Sequence, residues 1–536
     1  MKVVAAMPGV AGPAPARAGR ALIVLLPCLL VAACAALPRL NAVPSAIQER
    51  ATIPGIEGAR YWADRDPAEF LASTMAAFRR EQDYLRASGH RGPLPPAEFL
   101  AISGGGENGA FGAGLLVGWT AAGTRPQFKA VTGISTGALT APFAFLGPAY
   151  DARLREVYTT ISAADVLQPR GYLAALFQDA LADSTPLRRT IGRYVDQALL
   201  DAIAAEHAKG RVLLIGTTNL DARQPVIWNI GEIAASGGPG ALRLVQDILV
   251  ASSAVPAAFP PVMIDVEVDG RHYQEMHVDG GTSAQVFIYP PSIDIHQQER
   301  RAGLSRERRL YLVRNARLDP DWAQVERRTL SIASRAVSSL IQTQGVGDIY
   351  RIYLAAQRDG IDFNLAYIPE TFKTVLKAPF DTAYMKELFQ LGYELGAAGY
   401  PWAKAPPGYT LPNAPVSSAA VSAPPLRPRG AGPGQPAQAT GPDRARRTAP
   451  SRRSQAASAR RRRDSAVTTT ASPPGSFRPT RKGWSRIIRT RSGAMRTGGQ
   501  ADGAPCLEPR GAGTRASIGV RPRGFPTSGL ELNLVK

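Results

Sequence analysis

Cysteine is nearly absent from this chain: three in 536 residues, at positions 28, 34 and 506. None lies between 35 and 405, so neither a disulfide framework nor a Cys-based metal site is available to the body. Long apolar runs are missing too. The strongest, ALIVLLPCLLVAA at 21–33, is shorter than the ~20 residues a membrane-spanning helix needs. Histidine is scarce, with only His90, His207, His272, His277 and His296, which narrows the choice of a catalytic base. Acids are scarce at one end only. From 406 onward 23 Lys/Arg face five Asp/Glu, net +18, whereas the residues before hold 40 bases and 38 acids, net +2. The overall +20 therefore describes the tail, and global charge says nothing about a ligand of the body.

The two ends read differently from the middle. Lys2, Arg17 and Arg20 precede the apolar run, which matches a secretory signal. Its last letters, Val31-Ala32-Ala33-Cys34, resemble the lipobox of bacterial lipoproteins, in which the signal is cut before a cysteine that is then acylated. We expect a signal peptide at 1–33 and lipidation at Cys34, tethering the protein to a membrane face. Ala35 after the cysteine implies outer-membrane sorting in the bacterial cell envelope. Residues 34–95 read as a spacer followed by one amphipathic helix over 66–88. At the other end, 406–536 is Arg/Pro/Ala/Gly/Ser text without hydrophobic period, expected to be disordered. Such text also arises when a GC-rich gene is read out of frame, and both origins stay open.

Between these ends, 96–405 alternates short apolar runs with helical stretches. EFLAI (98–102) is a strand, SGGGENG (103–109) a loop and AFGAGLLVGWTAAG a small-residue helix. QFKAVT (127–132) is a strand, and ALTAPFAFLG a helix. RVLLIGTTNL (211–220) is a strand, followed by a helix at 242–255. Residues 262–278 form a hairpin about Asp269-Gly270, and RRLYLVRNA (308–316) is a further strand. Helical text at 326–358 and 380–399 closes the domain. This order predicts an α/β domain with a mainly parallel sheet.

VTGISTGAL at 131–139 places Ser135 on a strand-to-helix turn between Gly133 and Gly137, the setting of a nucleophile elbow. The five-residue pattern alone is weak. With 52 glycines, it arises by chance in roughly a third of chains this long. The Gly104-Gly105-Gly106-Glu107-Asn108-Gly109 loop also fits a dinucleotide fingerprint, but that needs an acid ending the next strand. Thr132-Gly133-Ile134-Ser135 stands there instead, and no Gly-Lys-Ser/Thr follows for a phosphate loop. What remains is a set of backbone N–H groups at a helix start, suited to an oxyanion. No histidine has a convincing catalytic setting; His277 reads best as a strand-face residue. Asp279-Gly280-Gly281 ends a strand and opens a turn, a place where catalytic carboxylates occur.

In this order, SGGGENGAFGAG, GISTG, ASSAVPAAFPP (251–261) and DGG resemble the patatin-like phospholipase family, over roughly 98–300 and more loosely to 400. The resemblance implies a three-layer α/β fold around a central, mainly parallel sheet, and a Ser–Asp dyad of Ser135 and Asp279. It also implies an oxyanion hole from Gly104, Gly105, Gly106 and Gly109, and no metal or organic cofactor. A carboxylate base has no tautomer to orient, so one residue can replace the usual pair. Its ordinary pKa near ~3.9 is poorly matched to that task, and burial would improve it. One position departs from the family, which commonly carries Arg or Lys where Asn108 stands. The expected activity is hydrolysis of carboxylic esters of phospholipids or lysophospholipids, with membrane lipid as substrate and no specific nucleic-acid partner. Two alternatives stay open: a catalytically weak lipoprotein of the same fold with a binding role, and a binder of anionic surfaces or nucleic acid through the tail.

Overall fold

The computed structural model describes residues 37–171, 178–320 and 322–409. The leader, Cys34 and the tail from 410 onward lie outside the described residues. One sheet organises the rest. Its strands are β1 (Arg60–Trp62), β2 (Ala97–Ile102), β3 (Ala130–Ile134), β4 (Val212–Asn219), β5 (Gln224–Asn229), β6 (Val262–Val268), β7 (Arg271–Asp279), β8 (Arg308–Arg314) and β9 (Asp362–Tyr367). They lie in the order β1-β5-β4-β3-β2-β8-β9, with β7 pairing on β4 and β6 on β7. The centre, β4-β3-β2-β8-β9, is parallel. Strands β1, β5, β6 and β7 add to it antiparallel.

The residue patterns follow from this division. Parallel strands covered on both faces are apolar almost throughout, as AEFLAI and LLIGTTN are, nearly every residue being buried. The β6–β7 hairpin lies at the margin, and β6 alternates buried and open positions. Its turn is Asp269-Gly270, both at positive φ, as a two-residue hairpin connection requires.

Helices cover both faces. α1 (Ala68–Ala87), α2 (Gly109–Ala121), α3 (Thr136–Leu146), α4 (Asp151–Thr160), α5 (Thr185–Tyr194), α6 (Gln197–Ala208), α7 (Ala241–Ser252), α8 (Thr329–Arg358) and α9 (Thr382–Ala397) are those that matter below. The main core joins α2 to α7 and α9 with one face of the sheet. A smaller core packs Ile349, Ile352 and Tyr353 of α8 on Leu310, Leu312 and Phe363 from the other side. The three-layer α/β expectation holds.

The stretch expected to be a spacer is, from residue 39, part of the folded body. Arg39 pairs with Asp221, Thr52 bridges to Glu267, and β1 pairs with β5 from Arg60↔Trp228 to Trp62↔Val226. Ala51, Ile53, Ile56 and Ala59 are buried in the main core. A Pro/Gly-broken segment shows no period, because its order comes from an existing sheet edge. Strands β5 (QPVIWN) and β9 (DFNLAY) were likewise not anticipated, being short and without alternation.

The small-residue helix has a specific use. Along α2, a Cβ on Gly114 or Gly118 would run into the carbonyl oxygens of Phe389 and Tyr393 in α9. Reciprocally, a Cβ on Gly392 or Gly396 would strike those of Phe111 and Leu115. The two helices meet backbone to backbone. Because α2 is buried on every side, it has no polar face to betray its orientation. We predict that Gly118→Ala lowers unfolding free energy by about 1–3 kcal/mol through overpacking. Gly347→Ala, on an open position of α8 with nothing within 4 Å, should be neutral or stabilise by up to ~1 kcal/mol. Denaturant titration of both variants provides the measurement.

Candidate active site

A single edge of β4 brings the two key residues together. Strand β3 pairs along it in parallel as far as Ile134↔Gly216 and stops there. Strand β7 takes over on the next residue, antiparallel, with Asp279↔Thr217. Ser135 follows Ile134 directly, so the serine and the carboxylate emerge where the two strands meet head to head.

The turn at Ser135 is strained. Its φ of 55° and ψ of −125° lie in a region costly for a residue with a side chain, by about 1–3 kcal/mol. The flanking glycines allow it. A Cβ on Gly133 would strike the Gly137 carbonyl, and one on Gly137 the carbonyl of Ile102. Ser252 holds the strained backbone in place: its Oγ accepts from the Ser135 N–H at 3.0 Å and donates to the Gly216 carbonyl at 2.7 Å. Two residues on, the Ala254 carbonyl accepts from the Asp279 N–H at 2.9 Å. The ASSAV stretch thus fastens both sides of the site.

Asp279 is buried, and burial pushes its carboxyl up to about 6; the Ser135 side chain and the Gly281 N–H, hydrogen bonding to it, act in the opposite direction. The Gly281 N–H donates to Oδ1 at 2.7 Å, which also holds the carboxylate's orientation. His277 has no share in this. Its Nδ1 meets the Thr217 hydroxyl at 2.9 Å and its Nε2 meets Glu275 at 3.0 Å. The ionised Glu275 can only accept, so Nε2 carries the proton and donates to it, and Nδ1 of the neutral ring accepts from the Thr217 hydroxyl, whose oxygen in turn accepts from the Trp228 indole N–H. Glu275 also pairs with buried Arg60. Burial moves the imidazole pKa down, so His277 is a neutral, fully engaged core residue.

Of the four loop glycines expected to offer amides, the structure leaves two. The Gly104 N–H donates to the Gln285 carbonyl at 3.1 Å, and the Gly109 N–H turns back to the carbonyls of Glu107 and Gly106. Among the described residues, the amides of Gly105 and Gly106 have no acceptor. Asn315, from the end of β8, clamps the loop: its N–H and its side-chain amide donate to Ser103, and its Oδ1 accepts from Gly112 N–H. Gly280 packs on the Gly216 carbonyl, with no room for a side chain. Asn108, the departure noted in the sequence, accepts from the Tyr384 hydroxyl at 2.6 Å. Ser252, Gln285, Asn315 and Tyr384 were not singled out from sequence. Only Ser252 lay in a quoted motif, since the others come from distant segments.

A cavity of about 140 Å³ opens from Ser135. Gly106, Glu107 and Thr136 line it with Phe143, Ile161, Leu187 and Leu249. Among the described residues that line it, Glu107 is the only charged one, and burial raises its carboxyl pKa. None of the described lining residues is a lysine or arginine. A larger cavity of about 350 Å³ lies beside the DGG turn without touching Ser135 or Asp279; chemistry, not size, identifies the site.

Residues 100–290 match the model of the patatin-like phospholipase family. This stretch is similar to that family, and the match supports lipid acyl hydrolysis as its general class of activity. A crystal structure of VipD from Legionella pneumophila is similar to this chain at 11% identity and a TM-score of 0.28, covering 57% of this chain and 66% of that one. No curated protein matches.

The buried carboxyl has a cost for stability. Its pKa rises from an ordinary 3.8 to about 6, so the native state holds a proton there that the unfolded chain has released. Stability from this group is fully present below about pH 4 and is lost as pH rises through 6. The loss is on the order of 2–3 kcal/mol at neutral pH. We predict that Asp279→Asn unfolds at higher denaturant than the parent at pH 7–8, with the gain fading between pH 6 and 4. Paired denaturation curves across that range test it.

Proposed function

We propose that this protein is a serine lipid acyl hydrolase cleaving carboxylic esters of phospholipids or lysophospholipids. Ser135 Oγ attacks the ester carbonyl, and Asp279 takes its proton. The tetrahedral oxyanion sits against the Gly105 and Gly106 amides. Asp279 gives that proton to the leaving alcohol; again a carboxylate, it takes a proton from a water that attacks the acyl carbonyl, and passes it to Ser135 Oγ as the fatty acid leaves. The observation that carries this reading is the meeting of Ser135 and Asp279 across Gly216 and Thr217 of one strand, with Ser135 lining an apolar cavity. A carboxyl near 6 is ionised at neutral pH yet far more basic than an exposed one, as a general base requires. Among the described lining residues no lysine or arginine is present to help the Gly105 and Gly106 amides hold the oxyanion. Removing such a donor costs about 10²–10³ in kcat.

The cavity supports an acyl group as the part of the substrate it receives. An apolar cavity of ~150 Å³ takes up benzene, so about 140 Å³ has room for about six carbons of a chain. The sequence of the leader supports the cell-envelope part of the reading: a lipoprotein acylated at Cys34 and held at the outer membrane would stand beside its substrate.

Ser135→Ala and Asp279→Asn should each abolish hydrolysis of a p-nitrophenyl ester without unfolding the protein. The double variant should be little worse than either single, because the pair acts as a unit. The parent's kcat/KM should fall about tenfold per pH unit below roughly 6. It should favour hexanoate over acetate by more than about tenfold, as each buried methylene contributes ~0.8 kcal/mol. Normal turnover in Asp279→Asn together with inactivity in His277→Ala would overturn the dyad. Inactivity of the intact protein on every ester would leave a binding lipoprotein.

The anchor has its own test. Cells fed a labelled fatty acid should label the parent protein, while Cys34→Ser stays unlabelled and leaves the membrane fraction. Equal label in both would remove the lipoprotein assignment.

A further inference from the structure

Helix α8 is built in two halves. From Gly345 onward it packs on β8 and β9, with Asp348, Ile349, Ile352 and Tyr353 buried. Its first half reaches beyond the core. Ile332, Val337, Leu340 and Ile341 are exposed, Leu340 by 70%. At these spacings they share one side of the helix, together with Ala333 and Ala336. Ser331, Ser334, Arg335, Ser338 and Gln342 occupy the other. An amphipathic helix normally turns its apolar side to the core; this one turns it to solvent. Trp322, just before the helix, is 86% exposed, and Val375 in the loop after β9 is 75% exposed. Four large aliphatic side chains exposed along one helix side are rare on soluble proteins and mark interaction surfaces.

The place of this surface narrows its use. It rises from the carboxyl edge of the sheet, beside the candidate site. Gln344 accepts from the Gln285 side chain, which also donates to the Gly281 carbonyl next to Asp279. Gln342 donates to the Arg317 carbonyl. Burial pushes the Tyr384 phenol up to about 12, with Glu107 and Arg317 both close enough to act on it, which ties the segment before α8 to the loop at Asn108. Asp319 is held below the usual carboxylate range first by Arg317 and in addition by Lys373, so the Val375 loop adjoins the same segment. The charge around it is mixed: Arg327, Arg328 and Arg335 lie between 327 and 341 and Lys373 and Lys377 flank Val375, while Asp321 and Glu326 precede the helix and Glu326 pairs with Arg328. Exposed Trp, aliphatic residues on one helix side and arginine at the margins are the makeup of a helix that lies in a membrane interface. Among the described residues no helix is long and apolar enough to cross a membrane.

We propose that the outward apolar side of α8, with Trp322 and Val375, docks into the headgroup–acyl boundary of a lipid bilayer and turns the Ser135 opening toward that surface. The choice of a lipid partner rests on the acyl hydrolase reading above. An ester lifted from the bilayer then enters the cavity without its acyl chain crossing water.

The test uses the full chain with Cys28, Cys34 and Cys506 changed to Ser, so that no lipid anchor takes part. An environment-sensitive fluorophore is placed at Leu340→Cys or, as the control on the polar side, at Ser334→Cys. Vesicles of phosphatidylcholine and phosphatidylglycerol with brominated acyl chains should blue-shift and quench the label at 340, and quench that at 334 several-fold less. Such a label reports insertion at its own position, which binding through the basic tail does not produce. Leu340→Ser with Ile341→Ser should lower turnover on the same vesicles about tenfold, the scale expected for removing two buried aliphatic side chains from a partly inserted surface, with turnover on a soluble ester unchanged. Absence of a shift at 340 while the soluble ester is still cleaved would overturn the docking surface and leave the acyl hydrolase intact. Insertion at 340 without hydrolysis of any ester would do the reverse. A concentration-dependent dimer broken by the two serines, with no quenching, would make this side an interface between copies and likewise overturn the proposal.

Discussion

One strand edge governs the candidate site. On β4, Gly216 is the last partner of β3 and Thr217 the last partner of β7. Two strands arriving from opposite directions thus end on adjacent residues of a third. Nothing longer than one residue step separates the two pairings, so Ser135 and Asp279 inherit the rigidity of sheet hydrogen bonding rather than that of a loop. Ser252 reinforces the junction by linking the Ser135 amide to the Gly216 carbonyl. Such stiffness is what lets a non-glycine residue stay at positive φ, because the surrounding pairings over-determine it.

Burial then decides the chemistry. The same closure that excludes water from Asp279 raises its carboxyl to about 6. This makes it a better base and a worse contributor to stability at neutral pH. His277, two residues earlier on the strand, shows the contrasting outcome. Its ring nitrogens are engaged by Thr217 and Glu275, so a titratable side chain near the site is held neutral and inert. The Gly-rich loop follows a similar economy. Two loop amides are consumed in building the loop and two are left over, while Tyr384 occupies Asn108. A proposed site with no lysine or arginine among its described lining residues, next to a carboxyl at Glu107, favours a substrate whose acyl part, rather than its charge, supplies most of the binding.

The pattern of success in reading the chain has a physical basis. EFLAI, RVLLIGTTNL, the Asp269-Gly270 hairpin and the helix at 68–87 were legible because their order is local, with apolar runs bounded by turn residues. Ser135 and Asp279 were legible as candidates because an elbow and a DGG turn need particular residues at adjacent positions. Strand β1 was not, since RYW becomes a strand only against β5. Asn315, Gln285 and Tyr384 were invisible for the same reason, each serving the loop from far along the chain.

By itself, then, the sequence determined an α/β domain, a serine on a strand-to-helix turn, a carboxylate on a strand-ending turn, and an Arg-rich end distinct from a nearly neutral body. These are properties of neighbouring residues, and neighbours interact whatever the rest of the chain does. Only the tertiary structure decided that Ser135 and Asp279 meet, which glycine amides remain unpaired, and that α2 and α9 touch backbone to backbone. It also decided that the first half of α8 faces outward with its apolar side. Each depends on groups tens to hundreds of residues apart being brought within a few ångströms, and on how much water is left between them.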